Sequence, residues 1–295
     1  MTAGYRVLSY AFRVRTRVRD ISGPVDELLG RFRASGLNGV PTYRIDRSPS
    51  DRTLLEVFLD GECVQRSEGA AALVEFLVWH VSARAIERID SHLALHAAAL
   101  AHRGRGVVLP APPDSGKTTL SAALTRAGFE YLSDEAALID PGDGLVHPFP
   151  RPLWMERPTL EKFPDLLERR PGRARLHYQV LPEELRPGAV GGPCRVRFVV
   201  APAYRPGSTT RLEPMSRAEA IVLLGENSFN LERFGAGGVR LLGELVAGAD
   251  CYRLPMGDLP SAVAAVRGLV EAEGGDAGDG TDPTHVQPGG HGRRS

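Results

Sequence analysis

The chain has 295 residues, with 36 basic and 36 acidic side chains, a formal net charge of zero and 42% hydrophobic residues. This length is enough for one large domain or two modest ones, and the composition excludes a globally disordered chain. Balanced charge also argues against a protein that binds nucleic acid over a broad surface, because such domains carry a basic excess. Lys117 and Lys162 are the only lysines among the basic residues, so the position of each is informative.

The sequence predicts a protein without a membrane-spanning segment. No run approaches about 18 uninterrupted apolar residues, and the first twenty residues carry charges inside their apolar stretch. Cys63, Cys194 and Cys251 lie far apart and form no C-x-x-C pair, which indicates reduced thiols. We therefore expect a cytoplasmic protein whose partners are neither nucleic acid nor membrane. Whether it forms a homo-oligomer is left open.

Residues 1–90 predict a small α+β domain. Apolar and basic residues alternate over 10–18, which is typical of a strand with one solvent-facing side. A helix is expected to begin at Pro24 and to end near Gly36. Asp60-Gly61, between two apolar runs, predicts a hairpin. The apolar stretch 70–89 predicts a long helix. Since this domain shows no catalytic pattern, we expect it to serve packing, dimerisation or partner recognition.

The other end of the chain predicts a disordered tail. Residues 273–295 contain a single branched aliphatic residue, Val286, among many glycines, prolines and aspartates. Such a segment buries too little apolar surface to offset its ordering entropy. Its two histidines, His285 and His291, are expected to be solvated rather than to bind a metal. Residues 91–272 then form the second domain.

That second domain contains a strand, a loop and a helix in close succession. A short apolar strand over 107–109 is followed by Pro-Pro-Asp-Ser-Gly-Lys-Thr and by an amphipathic helix that ends near Gly128. The pattern is close to G-x-x-x-x-G-K-[ST], except that Ala111 replaces the first glycine. Successive backbone N–H groups of such a loop point into one concavity at the positive end of a helix, which suits phosphate. The alternative is an ordinary turn with a chance Gly-Lys-Thr-Thr.

The loop residues have specific expected roles. We expect the phosphate cradle to consist of Asp114, Ser115, Gly116, Lys117, Thr118 and Thr119. Lys117 can reach the β- and γ-phosphates, and the Thr118 hydroxyl can ligate Mg²⁺. Asp114 places a carboxylate beside the anion, but aspartate tolerates the left-handed backbone conformation that glycine often adopts there.

Two carboxylates follow the next short strand, which begins at Phe129 and ends at Asp134 and Glu135. In a parallel α/β sheet the carboxyl ends of the strands face the ligand crevice. A carboxylate at that edge can hold Mg²⁺ or accept a proton from an attacking hydroxyl. Alone, an Asp-Glu pair is typical of solvated surface; one strand after a phosphate-binding loop, it predicts a functional site.

Taken in order, several motifs resemble the C-terminal domain of HPr kinase/phosphorylase. These motifs are His96-Ala-Ala-Ala-Leu, P-P-D-S-G-K-T-T-L, R-A-G-F-E-Y-L-S-D-E and H-P-F-P-R-P-L. The chain is most similar to the HPr kinase-related group called kinase A, also in the later segments 226–230 and 251–258. The resemblance covers roughly residues 90–270. It implies an α/β P-loop kinase core of the HPr kinase and PEP carboxykinase type, which binds ATP with Mg²⁺ and transfers phosphate to a hydroxyl.

The resemblance also assigns roles to individual residues. It implies that Asp134 deprotonates the acceptor hydroxyl and that Glu135 joins Thr118 at Mg²⁺, although the sequence does not separate the roles of the two carboxylates. His96 matches a histidine near the phosphates; its alternative role is purely structural. Arg151 is expected to return to the crevice after a hairpin over 138–146, the alternative being a surface arginine.

The sequence therefore leaves two alternative functions. The first is an ATP-dependent kinase that phosphorylates a serine or threonine hydroxyl of a protein, a peptide or a small molecule. HPr itself is not the expected acceptor, because the downstream signature that serves phosphorolysis is not recognisable. The second is a catalytically weak nucleotide-binding scaffold, or pseudokinase, that recruits a partner in a peptide-modification pathway, with which relatives tend to be associated. Ala111 and Asp114, as departures from the standard loop, favour the second.

Overall fold

The computed structural model describes residues 1–170 and 177–272, which form a mixed α/β structure with four sheets. The predicted disordered tail, residues 273–295, lies outside the described residues. Within those two ranges, every helix is too short or too polar to cross a lipid bilayer. The three thiols are free, with Cys63 exposed and Cys194 and Cys251 buried.

The first part of the chain forms a five-stranded sheet that packs against two helices. Its elements are β1 (Thr2–Val7), β2 (Tyr10–Thr16), α1 (Arg19–Leu29), a 3₁₀ turn (Gly30–Phe32), β3 (Thr42–Arg47), β4 (Leu54–Leu59), β5 (Glu62–Glu68) and α2 (Ala70–Glu87). The strands lie in sequential order, and all neighbours are antiparallel except β2 and β3. This region therefore contains both helices and a mainly antiparallel sheet.

Three local sequence signals in this part, the alternating strand, the hairpin turn and the long helix, are confirmed. The alternating segment is β2, and the apolar stretch 70–89 is α2 apart from its last two residues. Asp60 and Gly61 link β4 to β5 with φ angles of 50° and 98°. Two successive positive φ angles are what a type I′ hairpin turn requires, and Asp-Gly tolerates them well.

The start of α1 differs from the prediction. The helix begins at Arg19, and Pro24 lies inside it rather than at its first turn. Ile21, Val25 and Leu29 are spaced four residues apart and are all buried on one face of the helix. Burial of Ile21 extends the helix to the N-terminal side of the proline, at the cost of one backbone hydrogen bond.

The second part of the chain contains three more sheets and the remaining helices. In chain order its elements are β6 (Leu93–Leu95), β7 (Ala97–His102), β8 (Arg105–Pro110), α3 (Lys117–Arg126), β9 (Glu130–Ser133), β10 (Ala137–Ile139), β11 (Val146–His147), β12 (Leu153–Glu156), α4 (Arg157–Leu160), α5 (Pro164–Glu168), β13 (His177–Val180), α6 (Pro182–Leu185), β14 (Arg195–Tyr204), β15 (Glu213–Pro214), α7 (Arg217–Glu226), α8 (Leu231–Ala247), β16 (Asp250–Met256) and α9 (Leu259–Ala272).

A six-stranded sheet with the order β15-β16-β14-β8-β7-β9 forms the centre of this part. Apolar side chains of α3 and α9 pack on one face, and those of α7 and α8 pack on the other. The result is a three-layer α/β/α arrangement, in which helices cover both faces of the sheet. Two smaller sheets, β11-β10-β6 and β12-β13, complete the region.

The central sheet is mixed, whereas the sequence analysis assumed a parallel one. β8, β14 and β16 are parallel, but β7 lies antiparallel between β8 and β9. A tight turn joins β7 to β8, with φ of 52° at Arg103 and 74° at Gly104. Because β7 is antiparallel to both neighbours, β8 and β9 run in the same direction. Their carboxyl ends therefore still meet at one edge of the sheet, as expected.

The apolar core of the first part continues into the second. Ala94, Ala136, Leu138 and Phe149 belong to the same buried cluster as the side chains of β1 to β4, α1 and α2. Phe149 is 1% exposed, and its ring centroid lies 6.3 Å from that of Phe32. The division into domains 1–90 and 91–272 stays a prediction, and the two regions share a core across that boundary.

Candidate functional site

The loop between β8 and α3 has the backbone shape that the sequence predicts. Asp114 has φ of 61° and Gly116 has φ of 89°, so both adopt the left-handed conformation. Ala111, at the place of the first glycine of the motif, does not have a positive φ. The missing glycine therefore imposes no backbone strain, and the loop turns at Asp114 and Gly116 instead.

The same loop presents donors to a concavity. In the described ranges, no backbone N–H from Asp114 to Thr119 donates a hydrogen bond to another residue. The Ser115 hydroxyl is buried and also has no partner there. A Cβ on Gly116 would lie 2.6 Å from Met256 Cε, the flexible end of that side chain, so the positive φ of Gly116, more than the packing, favours glycine here. Unpaired donors at the start of a helix fit an anion such as phosphate.

Lys117 lies at the base of the concavity and is 7% exposed. Its Nζ donates to the carbonyl oxygens of Ala111 and Pro112, at 2.5 and 3.0 Å. Burial lowers the pKa of Lys117 from its ordinary value, although neighbouring carboxylates oppose that change. The ammonium group thus uses two of its three donors on its own loop, which holds it beside the free N–H groups.

Asp134 lies at the carboxyl end of β9 and is 2% exposed. The Tyr131 hydroxyl donates to its Oδ1 at 2.9 Å, and the Thr118 hydroxyl lies 3.4 Å from its Oδ2. Burial raises the pKa of Asp134, an effect that Arg151 opposes and Glu135 reinforces. The fold therefore brings the predicted metal-binding hydroxyl next to a carboxylate 16 residues away in the chain.

Arg151 returns to the crevice after the hairpin of β10 and β11, as the sequence predicts. Its Nη2 lies 2.8 Å from Glu135 Oε2 and 3.3 Å from Asp134 Oδ1, so one guanidinium bridges both carboxylates. Burial lowers the pKa of Arg151, but the two carboxylates outweigh it and leave the pKa raised. Arg151 is buried rather than on the surface, and its Nε has no hydrogen-bond partner among the described residues.

His96 connects β6 to β7 at the same edge. Its Nε2 lies 3.9 Å from Glu135 Oε1, and its ring centroid lies 5.3 Å from that of Phe229. Burial and the positive charges of Lys117 and Arg151 lower the pKa of His96. The imidazole is therefore neutral at pH 7 and can accept or donate one hydrogen bond in the site.

These residues line one cavity of about 440 Å³. Each predicted site residue contributes to its wall: His96, Asp114, Ser115, Gly116, Lys117, Thr118, Thr119, Asp134, Glu135 and Arg151. The cavity is large enough for a nucleotide-sized ligand. The structure thus brings together, without exception, the side chains that the sequence analysis proposed for phosphate, metal and proton transfer.

A second set of residues that line this cavity is not predicted by the sequence. Trp79, Ser82, Ala83 and Ile86 of α2 line the same cavity, although we expected no site residue in the first part of the chain. The cavity is also lined by Trp154, Glu156, Thr159 and His177. Neither group forms a motif, so the sequence offers no signal for them.

A further cavity of about 600 Å³ opens beside the first. The two share Trp79, Ala83, Ile86 and Glu135, so Glu135 and α2 form the boundary between them. Trp79 is 49% exposed there, and Phe229 is 38% exposed on the other wall. The adjoining space is the place from which a second molecule can approach Glu135.

The donor set of the first cavity suits Mg²⁺. The Thr118 hydroxyl and the carboxylates of Asp134 and Glu135 are hard oxygen donors, which this ion prefers. Their arrangement beside unpaired N–H groups and a lysine ammonium fits a metal bound together with phosphate oxygens. The site and the mixed α/β fold therefore define a protein with a candidate site for a phosphorylated ligand.

Comparison with known proteins shows a distant likeness among solved structures. No protein-family model matches the chain, and no curated protein matches it. Among solved structures it is similar to the Hpr(Ser) kinase/phosphatase from Coxiella burnetii, with 13% identity over 62% of this chain and 99% of that one. The TM-score is 0.33, which is too low for this likeness to support a functional assignment.

Proposed function

We propose that this chain is an ATP-dependent phosphotransferase that uses Mg²⁺ and phosphorylates a serine or threonine hydroxyl of a protein, a peptide or a small molecule. One observation carries the proposal. A loop of unpaired N–H groups with Lys117 at its base opens into the same cavity as Asp134 and Glu135. This combination provides an anion cradle, a metal-binding edge and a proton acceptor within reach of one another.

In the proposed reaction the loop holds the phosphates. The N–H groups from Asp114 to Thr119 donate to no acceptor among the described residues, so they are free to donate to phosphate oxygens. Lys117 has one ammonium donor left for the β- and γ-phosphates, and it can offer the other two only by leaving the carbonyls of Ala111 and Pro112. Catalysis then rests on positioning and charge neutralisation, which supply most of the rate enhancement in phosphoryl transfer.

The distances favour one assignment of the two carboxylates. Asp134 lies 3.4 Å from the Thr118 hydroxyl, so these two residues would hold Mg²⁺, which when bound neutralises charge on the phosphates. Glu135 faces both cavities and its side chain is 38% exposed, so it is better placed to accept the proton of an incoming hydroxyl. This exchanges the roles that the family resemblance implies for Asp134 and Glu135.

Four variants test the proposal, with nucleotide binding and phosphate transfer measured separately. Labelled ATP and a lysate of the source organism report transfer, and a fluorescent ATP analogue reports binding. We expect Lys117→Ala to lose binding, and Glu135→Gln to bind nucleotide but transfer phosphate about 10²- to 10⁴-fold more slowly. Lys162→Ala is the matched control, since Lys162 is the other lysine and is exposed. Absence of ATP and GTP binding by the wild type would contradict the proposal.

The fourth variant, Asp134→Asn, distinguishes the carboxylate roles. If Asp134 holds Mg²⁺ with Thr118, the variant will require more Mg²⁺ for half-maximal transfer, whereas Glu135→Gln will not. If Glu135→Gln instead requires more Mg²⁺ and Asp134→Asn does not, Asp134 is the residue that accepts the proton. The Mg²⁺ dependence of the initial rate is the measurement.

A nucleotide-binding scaffold is the second candidate, and one observation favours it. Arg151 pairs with both carboxylates, and Lys117 pairs with its own loop. A site whose charges are internally neutralised can bind nucleotide without turning it over. Binding lost in Lys117→Ala, together with no phosphate transfer by the wild type to any lysate component, would favour the scaffold.

A further inference from the structure

A second group of ligating side chains lies at the far end of the small sheet β11-β10-β6. His92 directly precedes β6, Asp140 directly follows β10, and His147 ends β11. Antiparallel pairing of β10 with both neighbours brings these strand ends together. One ligand atom from each residue lies within 4.8 Å of those of the other two. This cluster is separate from the cavity described above, which none of the three residues lines.

The distances between these atoms are close to those of a metal site. Asp140 Oδ2 lies 3.7 Å from His92 Nε2 and 3.9 Å from His147 Nε2. Ligand bonds of about 2.0–2.1 Å in a tetrahedron place the ligand atoms about 3.3 Å apart. A contraction of roughly half an ångström at each of these two contacts therefore suffices. The two imidazole rings meet edge to face, with centroids 5.2 Å apart, so their nitrogens can converge.

The turn between β10 and β11 orients the carboxylates. Asp140 Oδ1 accepts the Gly142 N–H at 2.6 Å, which leaves Oδ2 directed at the histidines. Asp143 Oδ1 accepts the Leu145 N–H at 2.7 Å, and its Oδ2 lies 2.9 Å from His147 Nε2. Each carboxylate thus accepts a hydrogen bond from the turn with one oxygen and directs the other oxygen at the histidines. Asp143 is therefore available as a fourth metal ligand.

His92 supplies a separate observation that points to a ligand. Its Nε2 is buried and makes no hydrogen bond to any residue in the described ranges. Its Nδ1 and the Ser91 hydroxyl lie 2.9 Å apart in a hydrogen bond. A metal-bound histidine shows this arrangement, in which the outer nitrogen is held by a polar neighbour and the inner one faces the ion. A buried polar atom without a partner is otherwise costly.

We propose that His92, Asp140 and His147 bind a zinc-class divalent transition metal, with Asp143 or water as the fourth ligand. Imidazole nitrogens with carboxylate oxygens suit zinc, nickel and cobalt, whereas Mg²⁺ and Ca²⁺ prefer oxygen ligands alone. The bound ion ties the β10–β11 hairpin to β6. That hairpin separates Glu135 from Arg151 in the chain, so the ion fixes a segment on which both residues depend for their position.

Metal titration of the full-length chain tests this proposal. The background carries His285→Gln and His291→Gln, which removes the two tail histidines as competing ligands. The chelator-treated protein is titrated with ZnCl₂ by calorimetry and with CoCl₂ by visible absorption. We expect one equivalent of metal, cobalt d–d bands, and a melting temperature that rises with zinc concentration. His147→Gln and Asp140→Asn are each expected to weaken binding at least about tenfold.

Two control variants make the outcome decisive. His102→Gln removes a histidine outside the cluster whose Nε2 lies 3.7 Å from Glu271 Oε1, and this variant should bind zinc as the wild type does. Glu135→Gln alters the oxygen-lined site, and it should also leave zinc binding unchanged. The proposal is overturned if zinc does not bind saturably. It is also overturned if binding survives in both His147→Gln and Asp140→Asn, or is lost in Glu135→Gln. Circular dichroism confirms that each variant is folded.

Discussion

Asp134 has the most unusual environment of any single carboxylate in the described site. It is buried, it accepts a hydrogen bond from Tyr131, and it shares Arg151 with Glu135. Burial raises its pKa above that of an aspartate in the unfolded chain. The folded state therefore holds the proton more tightly, and ionisation costs stability as the pH rises through the folded pKa. Such a cost is tolerated where the charge serves a function.

The variant Asp134→Asn should therefore be at least as stable as the wild type at pH 7, because it removes a buried charge and retains an acceptor for Tyr131. The difference in free energy of unfolding should narrow as the pH falls toward about 4, where the wild-type carboxyl also becomes neutral. Urea denaturation over this pH range measures the effect. A variant that is less stable by the same amount at every pH would indicate that Asp134 stabilises the fold through its charge-independent contacts.

Among the structural elements, α2 has two faces with different tasks. One face buries Leu73, Leu77 and Val81 against the five-stranded sheet. Another presents Trp79 and Ala83 to both cavities. The helix therefore anchors the first part of the chain and also forms a wall of the candidate site, so the expectation of a purely structural or recognition role for that part is too narrow.

Substitutions on the two faces of α2 should separate these tasks. Leu77 is fully buried, so Leu77→Ala should lower the free energy of unfolding by about 2–5 kcal/mol. Trp79 is about half exposed, so Trp79→Ala should change stability little and raise the KM for nucleotide or acceptor. Urea denaturation and initial-rate kinetics measure the two effects. An unchanged KM for both substrates in Trp79→Ala would confine α2 to a structural role.

The elements also show why part of the site was predictable and part was not. The loop from Asp114 to Thr119 and the pair Asp134-Glu135 are local in sequence, so backbone physics and motif spacing suffice to propose them. Trp79 and His177 reach the same cavity from distant elements, and only tertiary packing places them there. The direction of β7 and the start of α1 were missed for a similar reason, since neighbouring contacts decide them.

At the scale of the whole molecule, the largest buried apolar cluster of the described residues crosses the expected domain boundary. Phe149, from the second part of the chain, is buried in the cluster of the first sheet. Its N–H also donates to the Leu132 carbonyl at 2.9 Å, which links it to β9. A core shared in this way couples the unfolding of the two parts.

We therefore expect a single unfolding transition for the full chain, with near- and far-ultraviolet circular dichroism changing together. Phe149→Ala should lower the free energy of unfolding by about 3–5 kcal/mol and keep the transition single, because it removes a buried ring from the shared core. Val222→Ala is a control of the same type on an exposed position. Two separate transitions in the wild type would show instead that residues 1–90 unfold independently.

The bonds of Lys117 to Ala111 and Pro112 have a thermodynamic consequence. Two of the three ammonium donors already have acceptors on the lysine's own loop. Under the proposed function, a phosphate group that engages all three donors would exchange two acceptors and add one, so the affinity for nucleotide would report the difference between two sets of hydrogen bonds. We therefore expect such a site to discriminate among ligands by the number and placement of their phosphate oxygens.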